Sequence, residues 1–453
     1  MRILIFHGYL LSGTGSNVYN ARLAEALVDM GHEVHLLCQE RHPERYGFAQ
    51  SERCTLYRPD IGGLLPVYVQ DDYEGVQART FAACSDKEVA AYVNANVEAV
   101  REVVARVKPD IALANHLVMG PVILARALEG RVPYAVKVHG SALEYTVKPE
   151  PERFLPYARE GLAQAKTVLV GSKHTAQSLW RALGDPALPS RTRLGPPGVD
   201  VERFAAREPA QAAQALAGLV ERLRSGRVPV ADTEGAFARD ERAVADALER
   251  VIGDRGALVA FIGKLISAKG VDLLLEAWPR VLERHPRTRL LVIGFGSERE
   301  RLEAMAAGLG ERVIFTGRLD HDELPCVLPL CEALVVPSTF PEAFGMVAVE
   351  AAACGVLPIS AAHSGLAEVS EELAAAVPTD VRRLLSFPID EDAVEAIAQR
   401  VSDWLDAAPE LRTRTRESLV AVVRERWSWQ RVGRGVIAAA QGHLESPLAR
   451  AVG

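Results

Sequence analysis

Residues 333–360 read ALVVPSTFPEAFGMVAVEAAACGVLPIS, and this stretch decides the fold class. The apolar run Ala333–Val336 ends in Pro-Ser, which predicts a buried parallel strand. A helix rich in small residues then runs to the stop at Cys354-Gly355, and Val356–Ser360 begins the next strand. The order strand, loop, helix, strand is the unit of a doubly wound α/β sheet. Glu342 therefore follows the carboxyl end of a strand, where open parallel sheets bind ligands.

Two glutamates, Glu342 and Glu350, are separated by seven residues and flank a helix start at Gly345. Free N–H groups at a helix start attract negative oxygens, and a carboxylate beside them accepts hydrogen bonds from hydroxyls. This combination suits a sugar attached to a diphosphate. The structural alternative is that Glu342 only complements the helix dipole and Glu350 decorates a solvated face.

The segment resembles the E-x7-E motif of retaining glycosyltransferases of the GT-B fold, above all family 4, which uses nucleotide-diphosphate sugars. The flanking strand, the Pro-Ser pair and the small-residue helix match as well. The resemblance implies that Glu342 holds the donor sugar and that Glu350 holds the ribose. It also implies donor contacts from the backbone of the helix start, which comprises Ala343, Phe344, Gly345, Met346 and Val347.

Length and composition are those of a globular protein with two domains. The chain has 453 residues, of which 49% are hydrophobic and 25% charged. A net charge of -7 argues against a general nucleic-acid partner, although local basic patches stay open. The six cysteines contain no C-x2-C pair, so buried free thiols are expected.

The chain carries no segment that reads as a membrane anchor or an export signal. Met1–Phe6 enters directly into a predicted strand, and no apolar run reaches the roughly 18 to 20 residues that span a bilayer. We therefore expect a cytoplasmic enzyme, with peripheral membrane contact left open.

Alternation of short apolar runs and amphipathic helices predicts two doubly wound Rossmann-like domains. We place an acceptor-side domain at 1–196, a link with a helical insertion at 197–256, and a donor domain at 257–426. The resemblance implies that the two domains face each other across a cleft. It also implies that a helix over 427–446 packs back onto the first domain.

The loop after the predicted strand 257–263 carries two lysines five residues apart, Lys264 and Lys269. Two cations on one loop can neutralise a diphosphate without a metal ion and stabilise charge on a leaving group. The structural alternative is that Lys269 only solvates a helix start. The segment Gly263–Gly270 resembles the family's G-R-L-x-x-x-K-G signature, whose Arg and Lys hold the donor diphosphate. Lys264 replaces the usual arginine, which keeps the charge but loses the planar two-toothed grip on phosphate.

The loop between the first predicted strand and helix contains Gly13 and Gly15. Glycines allow close approach to phosphate, and the helix start supplies N–H donors. A dinucleotide fingerprint needs a third glycine where Val18 stands, so we expect no nicotinamide cofactor. The loop resembles the first loop of family 4 enzymes, which lies between donor phosphate and acceptor. A role as turn glycines is the structural alternative.

His139 ends another predicted strand and is followed by glycine. A satisfied core histidine is the structural alternative. The resemblance to the family's strand-end H-G or H-D position implies that His139 faces the donor sugar, as an orienting hydrogen-bond partner or as a proton handler. By the same resemblance, Arg318 and Leu319 follow the strand that holds the nucleotide base through backbone contacts.

Several polar and aromatic residues on loops of the first domain are candidates for acceptor contacts. They are Asp72, Tyr73, Glu144, Tyr145, Lys148 and Ser172. Ser172 also reads as a helix N-cap, and the loop around Asp72 can equally be a solvated one.

Metal-dependent sugar transferases of another fold use an Asp-x-Asp element, and this chain contains Asp320-His321-Asp322 and Asp390-Glu391-Asp392. Both read as acid-rich helix starts, so we expect no metal site. The sequence thus predicts a metal-independent retaining transferase without a cofactor, using a UDP- or GDP-sugar in preference to an ADP-sugar. The acceptor can be a small molecule, a glycan or a lipid-linked group.

Two other functions fit the same motifs. A nucleotide-sugar isomerase or epimerase of the same double-Rossmann architecture would convert the donor with no acceptor present. A non-catalytic subunit that binds sugar nucleotides would be expected to have lost Glu342 or Lys269, and neither is lost.

Overall fold

The computed structural model describes residues 1–69, 77–226, 239–252 and 256–443. In these ranges short buried strands alternate with helices, as expected of an α/β protein. No helix among them is long and apolar enough to cross a membrane. The chain forms two compact units, one from Met1–Gly198 together with the segment from Trp429 onward, and one from Val199–Ser428.

The first unit alternates strands with helices over its first 198 residues. Its strands are β1 (Arg2–Phe6), β2 (Glu33–Leu37), β3 (Cys54–Tyr57), β4 (Leu64–Val67), β5 (Gln77–Thr80), β6 (Ile111–Asn115), β7 (Tyr134–Val138), β8 (Thr167–Val170) and β9 (Thr192–Leu194). Its helices are α1 (Gly15–Asp29), α2 (Asp86–Val107), α3 (Gly120–Leu128), α4 (Pro151–Ala163), α5 (Lys173–Leu183) and α6 (Leu188–Arg191).

Seven strands of this unit form a parallel sheet in the order β3, β2, β1, β6, β7, β8, β9. β6 and β7 are buried along their whole length, which explains their continuous apolar character. The strand order reverses between β2 and β6, on either side of β1. Such a switch point opens a crevice at the carboxyl ends of the strands, where ligands bind. β4 and β5 pair separately.

The second unit repeats this architecture. Its strands are β10 (Leu258–Ile262), β11 (Arg289–Ile293), β12 (Val313–Gly317), β13 (Ala333–Val336), β14 (Leu357–Ala361) and β15 (Ser386–Phe387). Its helices are α7 (Pro209–Arg224), α8 (Glu241–Glu249), α9 (Val271–Arg284), α10 (Arg299–Ala306), α11 (Met346–Ala353), α12 (Ser364–Ala374), α13 (Thr379–Arg382), α14 (Ala393–Leu405) and α15 (Pro409–Arg426).

The second sheet is also parallel, in the order β12, β11, β10, β13, β14, β15. Its strand order reverses between β10 and β13, which pair through Val259 with Ala333 and Ala260 with Leu334. The loops that leave these two strands are the ones that carry the predicted lysines and Glu342. The topology therefore brings them to one switch point.

The described part of the predicted 197–256 link packs into this second unit. Leu216 and Leu219 of α7 and Val244 and Leu248 of α8 are buried in the same apolar core as the strands. α8 begins with Asp240, whose carboxylate accepts hydrogen bonds from two N–H groups of the first turn. The insertion is thus part of the donor-side unit in the ranges that the structure describes.

The C-terminal helix α16 (Trp429–Ala440) returns to the first unit, where it packs against α1. The rings of Trp429 and Tyr19 lie 5.5 Å apart in an edge-to-face contact. The helix is shorter than the predicted 427–446. It ends before Gly442, which adopts a left-handed conformation with φ 79°, typical of a helix stop.

Two helical glycines differ sharply in the space around them. A Cβ on Gly161 of α4 would lie 2.5 Å from the backbone nitrogen of Val122 on α3, whereas a Cβ on Gly218 of α7 would meet only the tip of Arg222, at 3.7 Å. We expect Gly161→Ala to destabilise the protein by about 1 to 3 kcal/mol, because two backbones must move apart. Gly218→Ala should stabilise it by about 0.5 to 1 kcal/mol. Thermal unfolding of both variants checks the opposite signs.

Candidate functional site

Lys269 and Glu342 form an ion pair where the loops after β10 and β13 meet. The Ser338 hydroxyl donates a second hydrogen bond to the same Glu342 oxygen, at 2.8 Å. The backbone N–H of Glu342 donates to the Ser364 hydroxyl at 2.9 Å, which ties the loop to the start of α12. Glu342 is therefore held through its carboxylate by Lys269 and Ser338 and through its backbone by Ser364.

A close backbone contact brings these two loops together. Gly270 has φ 64°, and a Cβ there would lie 2.0 Å from the carbonyl oxygen of Pro337, so only glycine fits. The Thr339 N–H donates to the Ala268 carbonyl at 3.0 Å. Lys269 lies between these two contacts and is directed to Glu342 by the fold of the loop.

The environment of Glu342 keeps its carboxylate charged. Burial alone would raise the pKa of this carboxyl group. The Lys269 ammonium, the hydrogen bonds from Lys269 and Ser338 and the charge of His363 outweigh that effect, and the pKa lies below its ordinary value. The Glu342 carboxylate is therefore a partly buried anion in the loop that follows β13.

The helix start next to Glu342 offers backbone groups to a ligand. Gly345 has φ 107° and precedes the first turn of α11, which begins at Met346. Ala343 and Phe344 touch the chain at Gly365, where a Cβ would lie 2.7 Å from the Phe344 Cα. The Phe344 ring is buried, 6.0 Å from that of Trp427. Its side chain therefore serves the core, and Val347 of the first turn is half-buried.

Glu350 is 4% exposed, so the alternative of a solvated decoration is wrong. One of its oxygens lies 2.7 Å from Nε2 of His321. His321 was not among the predicted site residues. Its position in the loop after β12 could have indicated a site residue, because the carboxyl ends of parallel strands lie at the same edge of a sheet.

The remaining donor residues lie on loops of the same unit. Lys264 follows β10 and is half-buried. Leu319 is buried, and the Arg318 guanidinium donates to Asp320 at 2.8 Å. Both side chains are thus engaged within the protein, and base binding by their backbone stays a prediction.

The two Asp-x-Asp elements have structural roles among the described residues: the first forms ion pairs with arginines, and the second precedes a helix. Asp320 pairs with Arg318 and Arg239, and Asp322 pairs with Arg203. The expected helix after Asp322 is wrong, since a short 3-10 turn at Leu324–Cys326 replaces it and the turn contains a proline. Asp392 directly precedes α14, as expected of an acid-rich helix start.

Three histidines follow three neighbouring strands of the first unit. His7, His116 and His139 come directly after β1, β6 and β7. The His116 ring centroid lies 5.8 Å from that of His7 and 5.0 Å from that of His139. Sequence reasoning identified His139 alone. The missed signal was that all three occupy the first position after adjacent parallel strands, at the switch point of the sheet.

Hydrogen bonds fix the tautomers of two of these rings. The Asn20 amide donates to Nδ1 of His7 at 3.0 Å, and His7 Nε2 lies 3.0 Å from the Asn17 side-chain oxygen. His139 Nε2 lies 2.8 Å from the side-chain oxygen of Asn115, whose amide nitrogen donates to the carbonyl of Phe6. Protons on Nε2 satisfy all of these contacts.

Burial keeps the histidine cluster neutral. It lowers the pKa of His7 to about 4 and holds those of His116 and His139 well below the ordinary value. His116 has φ 67° and is 2% exposed, and neither of its ring nitrogens has a hydrogen-bond partner among the described residues. Burial also lowers the pKa of Lys137, whose Nζ donates to the Gly195 carbonyl at 2.6 Å, to about 7.

The predicted acceptor residues do not form one cluster in the described residues. Glu144 pairs with Lys148 at 2.7 Å and accepts a hydrogen bond from Ser178 at 2.8 Å. Tyr145, on the same π-helical turn, is 42% exposed. Ser172 is buried and accepts a hydrogen bond from the Thr175 N–H, so it caps α5.

Of the remaining predicted residues of the first unit, the structure describes Gly13 and Gly15. Gly13 adopts φ 91° ahead of α1, and Gly15 is the first residue of that helix. Asp72 and Tyr73 lie outside the described residues.

Comparison with known proteins shows the family of the chain. The family described as glycosyl transferases group 1 matches residues 249–418, and a glycosyl transferase 4-like domain matches residues 14–198. The D-inositol 3-phosphate glycosyltransferase of Frankia alni is 31% identical over 363 residues, which cover 76% of each chain. The chain therefore belongs to the family 4 glycosyltransferases, as predicted.

Two further likenesses differ in extent. A GDP-mannose-dependent alpha-(1-6)-phosphatidylinositol monomannoside mannosyltransferase of Mycolicibacterium smegmatis is 34% identical over 186 residues, or 39% of this chain and 46% of the relative. Sucrose-phosphate synthase from Thermosynechococcus elongatus superposes with a TM-score of 0.66 at 20% identity, covering 98% of this chain and 99% of that one. The predicted GT-B fold class is confirmed. Against four of the curated relatives that it matches, the chain spans 35% to 46% of their length.

The neutral histidine cluster predicts an acid-sensitive fold. Unfolded histidines bind protons near pH 6.5, whereas the buried rings stay neutral to lower pH. The unfolded state therefore binds more protons, and stability falls as pH drops from about 6.5 towards about 4. Each ring contributes up to about 1.4 kcal/mol per pH unit.

His116→Asn should flatten this dependence, because asparagine tolerates the left-handed backbone and does not titrate. Thermal unfolding between pH 7 and pH 5 measures the slope. His443→Asn, at an exposed position after α16, is the matched control, because His443 lies outside the buried cluster. A slope in His116→Asn equal to that of the wild type would show that His116 is not neutral in the folded protein.

Proposed function

We propose that the protein is a retaining glycosyltransferase that moves a sugar from a UDP- or GDP-linked donor to an acceptor hydroxyl. The observation that carries this proposal is the meeting of Lys269 and Glu342 at the carboxyl ends of β10 and β13. A cation suited to a diphosphate and a carboxylate suited to sugar hydroxyls lie side by side there, next to the start of α11. Membership of the family supports the same reaction class.

In this proposal the ion pair is the resting form of the donor site. The donor diphosphate attracts the Lys269 ammonium, and the Glu342 carboxylate then accepts hydrogen bonds from the sugar. Lys264 adds a second positive charge on the same loop. Glu350 binds the ribose hydroxyls with the oxygen that His321 leaves to it, since that histidine engages the other oxygen at 2.7 Å.

The chemical step uses the charge that develops on the leaving group. The bond between the anomeric carbon and the diphosphate oxygen breaks, and Lys264 and Lys269 stabilise the resulting negative charge. The acceptor oxygen attacks from the same face and forms the new glycosidic bond. Its proton passes to a diphosphate oxygen, which needs no protein nucleophile.

His139 orients the donor sugar as a neutral ring. Its pKa lies well below the ordinary value because the ring is buried, with smaller contributions from His116 and Lys137. Nε2 is engaged by Asn115, so Nδ1 carries the lone pair that a sugar hydroxyl can use. A hydrogen-bonding role fits this state better than a cationic one.

We propose that the acceptor carries a phosphorylated inositol. The names of the relatives from Frankia alni and Mycolicibacterium smegmatis both specify an inositol ring linked to phosphate, free in one and part of a lipid in the other. We also propose that the enzyme works in the cytoplasm. Its six free cysteines, five of them buried, suit a reducing compartment.

A screen of labelled donors with defined acceptors tests the function. UDP- and GDP-sugars are incubated with D-inositol 3-phosphate, with phosphatidylinositol, or without acceptor. We expect transfer from one donor to an inositol acceptor, with the anomeric configuration retained. Conversion of the donor without acceptor would instead identify an isomerase, and binding without turnover a non-catalytic subunit.

Glu342→Gln should lower kcat/KM about 10² to 10³-fold, because a charged contact to the sugar is lost in the transition state. Binding of the sugar-free nucleotide diphosphate, measured by calorimetry, should persist. Lys269→Ala should weaken that binding as well as transfer. Glu371→Gln, on the exposed side of α12, is the matched control. Full transfer by Glu342→Gln would refute the role in sugar binding.

A metal chelator tests the proposed metal independence. Lys264 and Lys269 supply the positive charge that a divalent ion supplies elsewhere, so the transfer rate should be the same with EDTA as without it. Recovery of a lost rate by added Mg²⁺ or Mn²⁺ would contradict this expectation.

A further inference from the structure

Arg239 is a buried arginine surrounded by carboxylates. Its side chain is 2% exposed. The guanidinium donates two hydrogen bonds to Glu323, at 2.6 and 3.0 Å, in the two-toothed geometry that favours arginine over lysine. It also lies 3.6 Å from Asp320 and 3.5 Å from Glu241. This buried cation therefore joins the start of α8, at Glu241, to the segment that contains Asp320 and Glu323.

The carboxylates belong to the loop that follows β12. The Asp320 N–H donates to Glu323 at 2.7 Å, and the Asp320 carboxylate accepts from Arg318 at 2.8 Å. His321, which lies between these two acids, is 2.7 Å from Glu350. The same short loop thus contains Arg318, which the proposed function assigns to the base. It also contacts Glu350, which the proposed function assigns to the ribose.

This loop is held by several contacts, among them the ion pair between Arg203 and Asp322 at 3.0 Å. It leaves β12 through Gly317, which has φ 82°, a conformation that glycine adopts without strain. Without the guanidinium, Glu323 would keep a negative charge that is largely buried and close to Asp320. Repulsion between the two acids and water entry would then reshape the loop.

We propose that Arg239 is a positioning residue for the nucleotide half of the donor. It holds the loop 318–323 in the shape that places the Arg318 backbone and the His321 ring, and through His321 it sets the orientation of Glu350. The inference rests on the proposed function. It assigns a role to the insertion within the second unit, because Arg239 precedes α8 and no donor motif includes it.

Three variants test this role against a merely structural one. Arg239→Gln removes the charge, and Arg239→Lys keeps the charge but loses the two-toothed grip. Arg224→Gln is the matched control, since Arg224 joins α7 to Asp246 and Glu249 of helix α8, the helix that Arg239 precedes. For each protein, calorimetry gives the Kd of UDP and GDP, and kinetics gives kcat and both KM values.

Arg239→Gln should raise the nucleotide Kd and the donor KM about tenfold, with kcat and acceptor KM within twofold of the wild type. Arg239→Lys should recover part of that loss, and Arg224→Gln should match the wild type. If Arg239→Gln does not fold, Arg239→Lys carries the same comparison with a smaller expected shift of about threefold.

Two contrary results have different meanings. A wild type that binds nucleotide and Arg239 variants that bind it equally well, or that lose only kcat, would overturn the positioning role and leave the proposed function standing. A wild type that binds neither UDP nor GDP would overturn the proposed function, and the positioning role would fall with it.

Discussion

The ion pair between Lys269 and Glu342 joins the loops that leave β10 and β13, the two strands on either side of the reversal in the second sheet. The close approach of Gly270 to the Pro337 carbonyl makes this pairing a consequence of the backbone. The two side chains are 30% and 24% exposed, and in this partly buried position each charge stabilises the other. The loop that opens α11 is anchored through the same carboxylate residue, by its N–H to Ser364.

At the switch point of the first unit, most of the polar side chains are neutral histidines. Its strand ends bear His7, His116 and His139, which burial keeps uncharged, and a lysine whose pKa is lowered to about 7. Charge at one switch point and neutral polarity at the other fit two different tasks. Charges stabilise a departing diphosphate, whereas neutral rings orient hydroxyls without attracting the anion. This contrast arises from burial and is invisible in a net charge of -7.

Much of the fold and part of the site follow from local sequence. The run 333–360 specifies strand, loop, helix and strand because each boundary has its own residue signal, and β13 begins and ends where the apolar run does. The lysines were predictable because they follow a strand at a recognisable spacing. His116, Lys137 and Arg239 were not, since their importance depends on which distant residues surround them. A side chain's burial and its partners are properties of the folded chain, which spacing alone does not encode.

The identity of the nucleotide base is the clearest case of this limit. The Arg318 guanidinium is engaged by Asp320, and the Leu319 side chain is buried, so in the proposed donor site the base would meet mainly the backbone of that segment. Backbone groups are the same in nearly every residue. Their positions depend on the conformation of the loop and not directly on its residue types. Lys264 and Lys269 add no discrimination either, because an ammonium is a point charge that accepts many phosphate geometries. In the proposed site, selectivity among UDP, GDP and ADP would therefore come from the shape of the loop 318–323. Contacts with residues far away in the sequence, Arg239 and Glu350, hold that shape.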